Sequence, residues 1–156
     1  MLQRIQSIYL LAASLLLFAL YFFPLAHNVY VNDVPVTILV TGIFQDVNGV
    51  QKHIESFTAL TVITAIVAII PLVIIFLFKN RKQQITFCYS TILVLFGYSF
   101  WMAQTVKKAV GEGVQLGTKT MGIGLFLTSI SIVMLILAVK SIQRDQKLVK
   151  SADRLR

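Results

Sequence analysis

Charged residues are missing from four long stretches of the chain, and most positions within these stretches are apolar. Each stretch holds at least the roughly 20 residues that an α-helix needs to cross the hydrocarbon core of a bilayer. Because lipid offers no water to backbone polar groups, such segments must pair those groups internally, as helices. The pattern therefore predicts four membrane-spanning segments, at residues 8–26, 57–78, 85–102 and 121–139, within helices at about 5–26, 57–78, 85–106 and 119–150.

A different pattern occupies residues 27–56, between the first two predicted helices. β-Branched residues recur there at every second position in two groups, and the pair Asn32-Asp33 separates the groups. Alternation interrupted by a turn pair is typical of a β-hairpin. Asn48-Gly49 is a second turn signal, and Pro35 suits an edge strand because it cannot donate to a central ladder. We expect a small β-hairpin or a three-stranded sheet, built around Val29, Val31, Val34, Val36, Ile38 and Val40.

The distribution of basic residues predicts the orientation of the chain. Of its 14 Lys and Arg residues, most lie at the N-terminus, in the short loop 79–84 and in the tail 140–156. Short cytoplasmic loops carry an excess of Lys and Arg, so we expect both termini to be inside (N-in/C-in). Residues 27–56 then form the first outer loop, and 140–156 form a basic cytoplasmic tail.

The overall composition agrees with this interpretation. The 156 residues are 57% hydrophobic and 13% charged, with a mean hydropathy of +0.82. Soluble domains are about 45–50% apolar and about 25% charged, and a chain of this size could not bury so much apolar surface in a water-facing core. We expect one domain over residues 1–156, an all-α membrane protein built as a four-transmembrane-helix bundle.

The sequence offers no constellation that predicts catalysis. None of the four predicted spans contains Asp, Glu, Lys, Arg or His, which disfavours a proton relay through the membrane. His27 and His53 lie in or beside the first outer loop without the close spacing of a metal motif. Cys88 has no second cysteine to pair with. We therefore expect neither enzymatic activity nor a cofactor or metal.

Small and hydroxyl residues fall at helical spacing in the predicted spans, which is how membrane helices approach closely and form hydrogen bonds with each other. Three hypotheses remain open for these faces: packing inside the bundle, contact with another membrane protein, or the lining of a ligand pathway. The third span offers Thr86, Ser90 and Gly97. The candidate helix-packing face consists of Thr58, Thr61, Ala65, Gly124, Thr128 and Ser131.

The basic tail is the most polar helix-prone segment of the chain. Its Lys and Arg residues predict binding to anionic lipid headgroups at the inner surface. Leu148, Ala152 and Leu155 share one helical face, which leaves open the alternative that a membrane or cytoplasmic protein docks there. No nucleic acid is expected as a partner, since no aromatic residue that could stack on bases is interleaved with the charges.

Both ends of the chain resemble those of one family. Residues 1–13 (MLQRIQSIYLLAA) resemble the start, and residues 142–156 (IQRDQKLVKSADRLR) the closing motif, of a bacterial membrane-protein family known mainly from Bacteroidota as domain of unknown function 4293. The family often has Glu at the position of Gln146. The resemblance implies a multi-pass protein of the bacterial inner membrane and a composite cytoplasmic surface formed by Gln3, Arg4, Gln6, Arg144, Asp145, Leu148, Ser151, Asp153 and Arg154.

These observations lead to two functional hypotheses. The first is a non-enzymatic interaction, assembly or scaffold protein that acts through its cytoplasmic termini, because the recognisable polar sequence is concentrated there. The alternative is a small oligomeric channel or carrier lined by the Thr, Gly and Ser faces.

Overall fold

The structure, a computed structural model, describes residues 2–31, 34–47, 50–78, 80–111 and 120–153. Within these ranges the chain is mostly helical, with four helices and one small antiparallel sheet, as the sequence predicts. The elements are α1 (Leu2–Ala19), β1 (Ala26–Val31), β2 (Val34–Leu39), β3 (Gly42–Val47), β4 (Val50–Ser56), α2 (Thr58–Phe76), α3 (Arg81–Val110) and α4 (Gly124–Asp153).

Three of the helices are long and apolar enough to cross a membrane. The candidate spans are Thr58–Phe76, Arg81–Val110 and Gly124–Val149. The apolar part of α1, Ile5–Ala19, is shorter. Length and composition alone thus support three of the four predicted spans directly.

The first helix ends earlier than the sequence predicts. α1 stops at Ala19 instead of near residue 26, and the N–H of Phe22 donates to the Ala19 carbonyl oxygen in a tight turn, at 2.9 Å. Pro24 lacks an N–H and disfavours helical geometry in the residue before it. The N–H of Leu25 donates to the carbonyl oxygen of Ile38 in β2, at 2.8 Å. The apolar residues after α1 therefore connect it to the sheet and do not extend the helix.

The third helix is longer than predicted, and the fourth is displaced. α3 covers Arg81–Val110 instead of about 85–106, because its polar first turn is rich in good helix formers. The residue that follows it, Gly111, has a φ of +87°, which suits glycine and ends the helix. α4 covers Gly124–Asp153 instead of about 119–150.

The sheet has four strands, one more than the largest sheet predicted. Its order is β1-β2-β3-β4, with every neighbouring pair antiparallel. The reversal of the chain at residues 40–41, between β2 and β3, was not predicted. In β4, which follows the predicted turn Asn48-Gly49, Lys52, His53, Ile54, Glu55 and Ser56 are all exposed. A strand with so little apolar alternation gives only a weak sequence signal. The turn pairs Asn32-Asp33 and Asn48-Gly49 lie outside the described residues.

The prediction that Pro35 marks an edge strand is wrong. Pro35 belongs to β2, which has β1 on one side and β3 on the other. It is opposite Tyr30 of β1, but the pairing of β2 with β3 begins one residue later, where Val36 is opposite Gln45. Proline is tolerated because it lies at the start of the strand, where a ladder hydrogen bond is not lost.

The four helices pack side by side in chain order. α1 packs most extensively against α4 and also against α2, while α3 packs against both α4 and α2. The sheet and residues 120–124 lie at one end, joined by the N–H of His27 donating to the Thr120 carbonyl oxygen at 3.0 Å. The turn between α2 and α3, the start of α1 and the end of α4 lie at the opposite end, which we call the terminal end.

Hydroxyl groups connect the helices through their buried interior. Ser14 Oγ donates to the Ala68 carbonyl oxygen at 2.7 Å, and Ser131 Oγ donates to the Ala13 carbonyl oxygen at 3.0 Å. Around these contacts the core consists of fully buried apolar side chains from all four helices and the sheet, among them Leu10, Leu17, Ile38, Leu60, Leu95, Leu135 and Ile142.

Candidate functional site

The two ends of the chain meet in a buried hydrogen bond. Gln6 Nε2, in the second turn of α1, donates to Asp145 Oδ2 of α4 at 2.9 Å. The same nitrogen lies 3.5 Å from the Ser141 carbonyl oxygen. Only 5% of Gln6 and 7% of Asp145 is exposed. We call this contact the Gln6–Asp145 clamp.

The clamp lies immediately beyond the apolar packing of α1 against α4. Leu10 and Ile142 belong to the same hydrophobic core and are fully buried, one turn further into the protein than the clamp. A buried polar group that loses its partner costs about 1–3 kcal/mol. The contact therefore favours one relative position of α1 and α4 at the terminal end.

Other amide side chains connect the remaining helices at this end. Gln84 Nε2 of α3 donates to the Ile74 carbonyl oxygen of α2 at 3.3 Å, and Gln84 is buried. Gln143 Nε2 of α4 donates to the hydroxyl oxygen of Tyr89 in α3 at 3.3 Å. Together with the clamp, these contacts join α1 to α4, α4 to α3, and α3 to α2.

A cavity of about 650 Å³ opens between α1 and α2 at the terminal end. Gln6 and Gln84 form part of its wall, so the clamp is adjacent to a space that a ligand or a partner side chain could enter. The remaining lining residues are Ser7, Ile8, Ile75, Phe76 and Phe78.

The outside of the terminal end is basic. Lys82, Lys140, Arg144 and Lys147 are exposed and Arg81 is partly exposed. The carboxylate of Asp145 faces the interior and accepts the Gln6 hydrogen bond, so it adds little to the outer surface. Exposed apolar side chains, Leu148 and Val149, accompany the charges on α4.

The structure brings together some of the residues predicted for the composite surface. Gln6 and Asp145 are in contact, and Arg144 and Leu148 lie on the exposed side of α4 next to them. The side chains of the other predicted residues, Gln3, Arg4, Ser151, Asp153 and Arg154, lie outside the described part of the chain. The sequence analysis did not identify Gln84, Tyr89 and Gln143 as site residues. The position of the two glutamines beside apolar spans could have indicated contacts between helices.

The residues of the candidate helix-packing face have different environments. Thr61 Oγ1 lies 3.2 Å from the Val40 carbonyl oxygen, Ala65 is partly buried, and Thr128 and Ser131 are buried. Thr58, the first residue of α2, is exposed. Gly124 is buried, and a Cβ atom there would lie 2.8 Å from the Pro24 carbonyl oxygen. In the third helix, Thr86, Ser90 and Gly97 are exposed.

No group of three or more His, Cys, Asp or Glu residues that could hold a metal ion occurs among the described residues. His53 stacks edge-on against Phe44 across the β3–β4 pair, with ring centroids 4.8 Å apart. This contact gives that histidine a packing role on the sheet.

Comparison with known proteins identifies the family. The model of the family described as Domain of unknown function (DUF4293) matches residues 2–155. No curated protein matches the chain at a significant level. The chain belongs to the DUF4293 family.

Proposed function

Given that the chain belongs to the DUF4293 family, we propose that this protein is a non-enzymatic scaffold of the bacterial inner membrane. It is a four-helix bundle with all helices crossing the bilayer and both termini in the cytoplasm. The terminal end, where the Gln6–Asp145 clamp joins the two family motifs, binds an acidic segment of a cytoplasmic or membrane partner.

The helix dimensions support the membrane placement. The three candidate spans have 19, 30 and 26 residues, which at 1.5 Å per residue is about 28 Å or more, against roughly 30 Å for the hydrocarbon core. In α1 the apolar part, Ile5–Ala19, is about 22 Å long, and the apolar residues 20–25 follow it. Large apolar side chains on the outer helix faces, such as Leu93, Phe100 and Val133, are exposed in the isolated chain. Lipid is the environment in which such faces are stable. The basic terminal end then lies inside by the positive-inside rule.

The observation that carries the scaffold proposal is the clamp itself. It holds the first turns of α1 and the last turns of α4 in one arrangement, so that residues distant in sequence present a single surface. Hydroxyl groups deeper in the protein form hydrogen bonds within the chain. The hydroxyl oxygens of Thr64 and Tyr98, for example, lie 2.6 Å apart. The terminal end carries the exposed cations Lys82, Lys140, Arg144 and Lys147, and this positive charge favours an acidic partner.

Crosslinking and purification from native membranes test this proposal. The Arg144→Gln/Lys147→Gln variant removes two exposed charges from the terminal end without reversing their sign, which keeps the orientation signal largely intact. We expect the crosslinked partner recovered with the native protein to be depleted roughly fivefold, since two exposed charge pairs at about 0.5 kcal/mol each contribute about 1 kcal/mol.

The matched control is Lys107→Gln/Lys108→Gln, which removes two exposed charges from the opposite end of α3. It should recover the partner at the native level. Equal recovery with all three proteins would contradict the proposal. Solute flux through proteoliposomes would then favour the alternative of an oligomeric channel.

A further inference from the structure

An open apolar groove runs between α2 and α3. Of the four neighbouring helix pairs, these two pack least extensively, and the space between them has a volume of about 700 Å³. Its wall is almost wholly hydrocarbon, with Ser90 and Thr91 as the hydroxyl residues. The other lining residues are Ile66, Ile69, Ile70, Val73, Ile74, Leu77, Phe87 and Val94.

A polar pocket of about 410 Å³ lies at the terminal end of α3. It contains two cationic side chains, Arg81 and Lys82, together with the amides of Asn80, Gln83 and Gln146. Asn80 Nδ2 donates to Gln83 Oε1 at 3.1 Å, which orders the turn beside the cations.

The groove and the pocket both border the turn between α2 and α3, and Gln146 of α4 completes the wall of the pocket. Gln83 of the pocket precedes Phe87 of the groove by four residues on α3, so the two side chains lie on the same helix face. Leu77 of the groove is three residues before Asn80 of the pocket. An elongated molecule could therefore place its apolar part in the groove and its polar end near the cations.

The length of this path matches one leaflet of a bilayer. From Gln83 to Val94, α3 rises about 16 Å at 1.5 Å per residue. Half of the roughly 30 Å hydrocarbon core is about 15 Å. The groove therefore extends from the membrane surface to near its midplane.

We infer that the groove and pocket form a binding site for an anionic phospholipid. An acyl chain lies between α2 and α3, and Arg81 and Lys82 bind the phosphate, as basic pockets between membrane helices do on the cytoplasmic side. A second copy in the same orientation would bring its own basic terminal end against these cations, which disfavours it as the occupant. The inference rests on the membrane placement in the proposed function.

Native mass spectrometry of the full chain in detergent tests the site, with phosphatidylglycerol and phosphatidylcholine as the added lipids. The native protein should bind phosphatidylglycerol preferentially. In the Arg81→Gln/Lys82→Gln variant, the preference should fall roughly fivefold for each charge removed. The Lys107→Gln/Lys108→Gln variant is the control for charge and should retain the native preference.

Filling the groove should have a different effect. The Val94→Trp variant occupies the space of the acyl chain, so the binding of both lipids should fall, while Val133→Trp, a similarly exposed position on α4, should bind as the native protein does. Ser90→Phe fills the same groove from an exposed position and provides a second test should Val94→Trp fold poorly.

An unchanged lipid preference after loss of both cations would overturn the assignment of the headgroup site. Unchanged binding of both lipids to Val94→Trp and Ser90→Phe would overturn the assignment of the groove. Because lipid binding in detergent requires neither a partner nor a particular orientation, a negative result here leaves the scaffold proposal standing. A failed partner experiment likewise leaves the lipid site standing.

Discussion

The Gly122→Ala variant is expected to lower the free energy of unfolding by about 1–3 kcal/mol or more, because overpacking usually costs that much. Gly122 is buried, and a Cβ atom there would overlap the carbonyl oxygen of Pro24. The N–H of Gly122 donates to the Leu25 carbonyl oxygen at 2.9 Å, and the N–H of Gly124 donates to the Pro24 carbonyl oxygen at 3.0 Å. Because the obstructing atoms are backbone, no side-chain rotation can relieve the overlap.

Gly97→Ala is the matched control for this prediction. Gly97 lies inside α3, and a Cβ atom there would meet nothing within 4 Å. The substitution should stabilise the helix by up to about 1 kcal/mol, because alanine is the better helix former. Unfolding in detergent by titration with SDS measures both variants. Equal stability of the two would show that residues 120–124 do not pack against the turn after α1 as the structure indicates.

The Gln6→Leu variant should lose about 1–3 kcal/mol of stability, because the Asp145 carboxyl group then remains buried without its donor. Asp145→Leu should also be destabilising, since it leaves the Gln6 amide unpaired. The double variant should lose less than the sum of the two, with a coupling of at least about 0.5 kcal/mol. Replacing both polar groups by apolar ones removes the unpaired group.

Two further variants test whether the effect belongs to the clamp. Asp145→Asn keeps an acceptor oxygen for Gln6 and should be much milder than Asp145→Leu. Gln104→Leu makes the same change as Gln6→Leu at an exposed position of α3 and should stay within about 0.5 kcal/mol of the native protein. Strictly additive losses for Gln6→Leu and Asp145→Leu would contradict a direct contact between the two side chains.

The long apolar stretches were sufficient to predict four helices, because lipid-compatible segments have few other structures available. The end of α1 was not predictable from hydropathy. Residues 20–25 are as apolar as the helix before them, but Pro24 and the hydrogen bond from Leu25 to the sheet end the helix. The alternating pattern predicted β-structure but not the number of strands, because pairing with β3, and not its own pattern, makes the polar segment β4 a strand.

The candidate site was predictable only in part. Gln6 and Asp145 were named because of the resemblance of the chain ends to a family, and the structure shows that they touch. The partners of Gln84 and Gln143 depend on how α2, α3 and α4 are placed in space. The sequence pattern along one helix does not determine how the helices are placed relative to one another.

The location of the terminal end in the cytoplasm is the central claim, and cysteine accessibility tests it most directly. In a Cys88→Ala background, which removes the only native cysteine, the variants Lys52→Cys, Asn80→Cys and Gln146→Cys report on the sheet, the α2–α3 turn and the end of α4. A membrane-impermeant maleimide should label Lys52→Cys in right-side-out inner-membrane vesicles, and the other two in inverted vesicles only. Labelling of Asn80→Cys or Gln146→Cys in right-side-out vesicles would contradict the account.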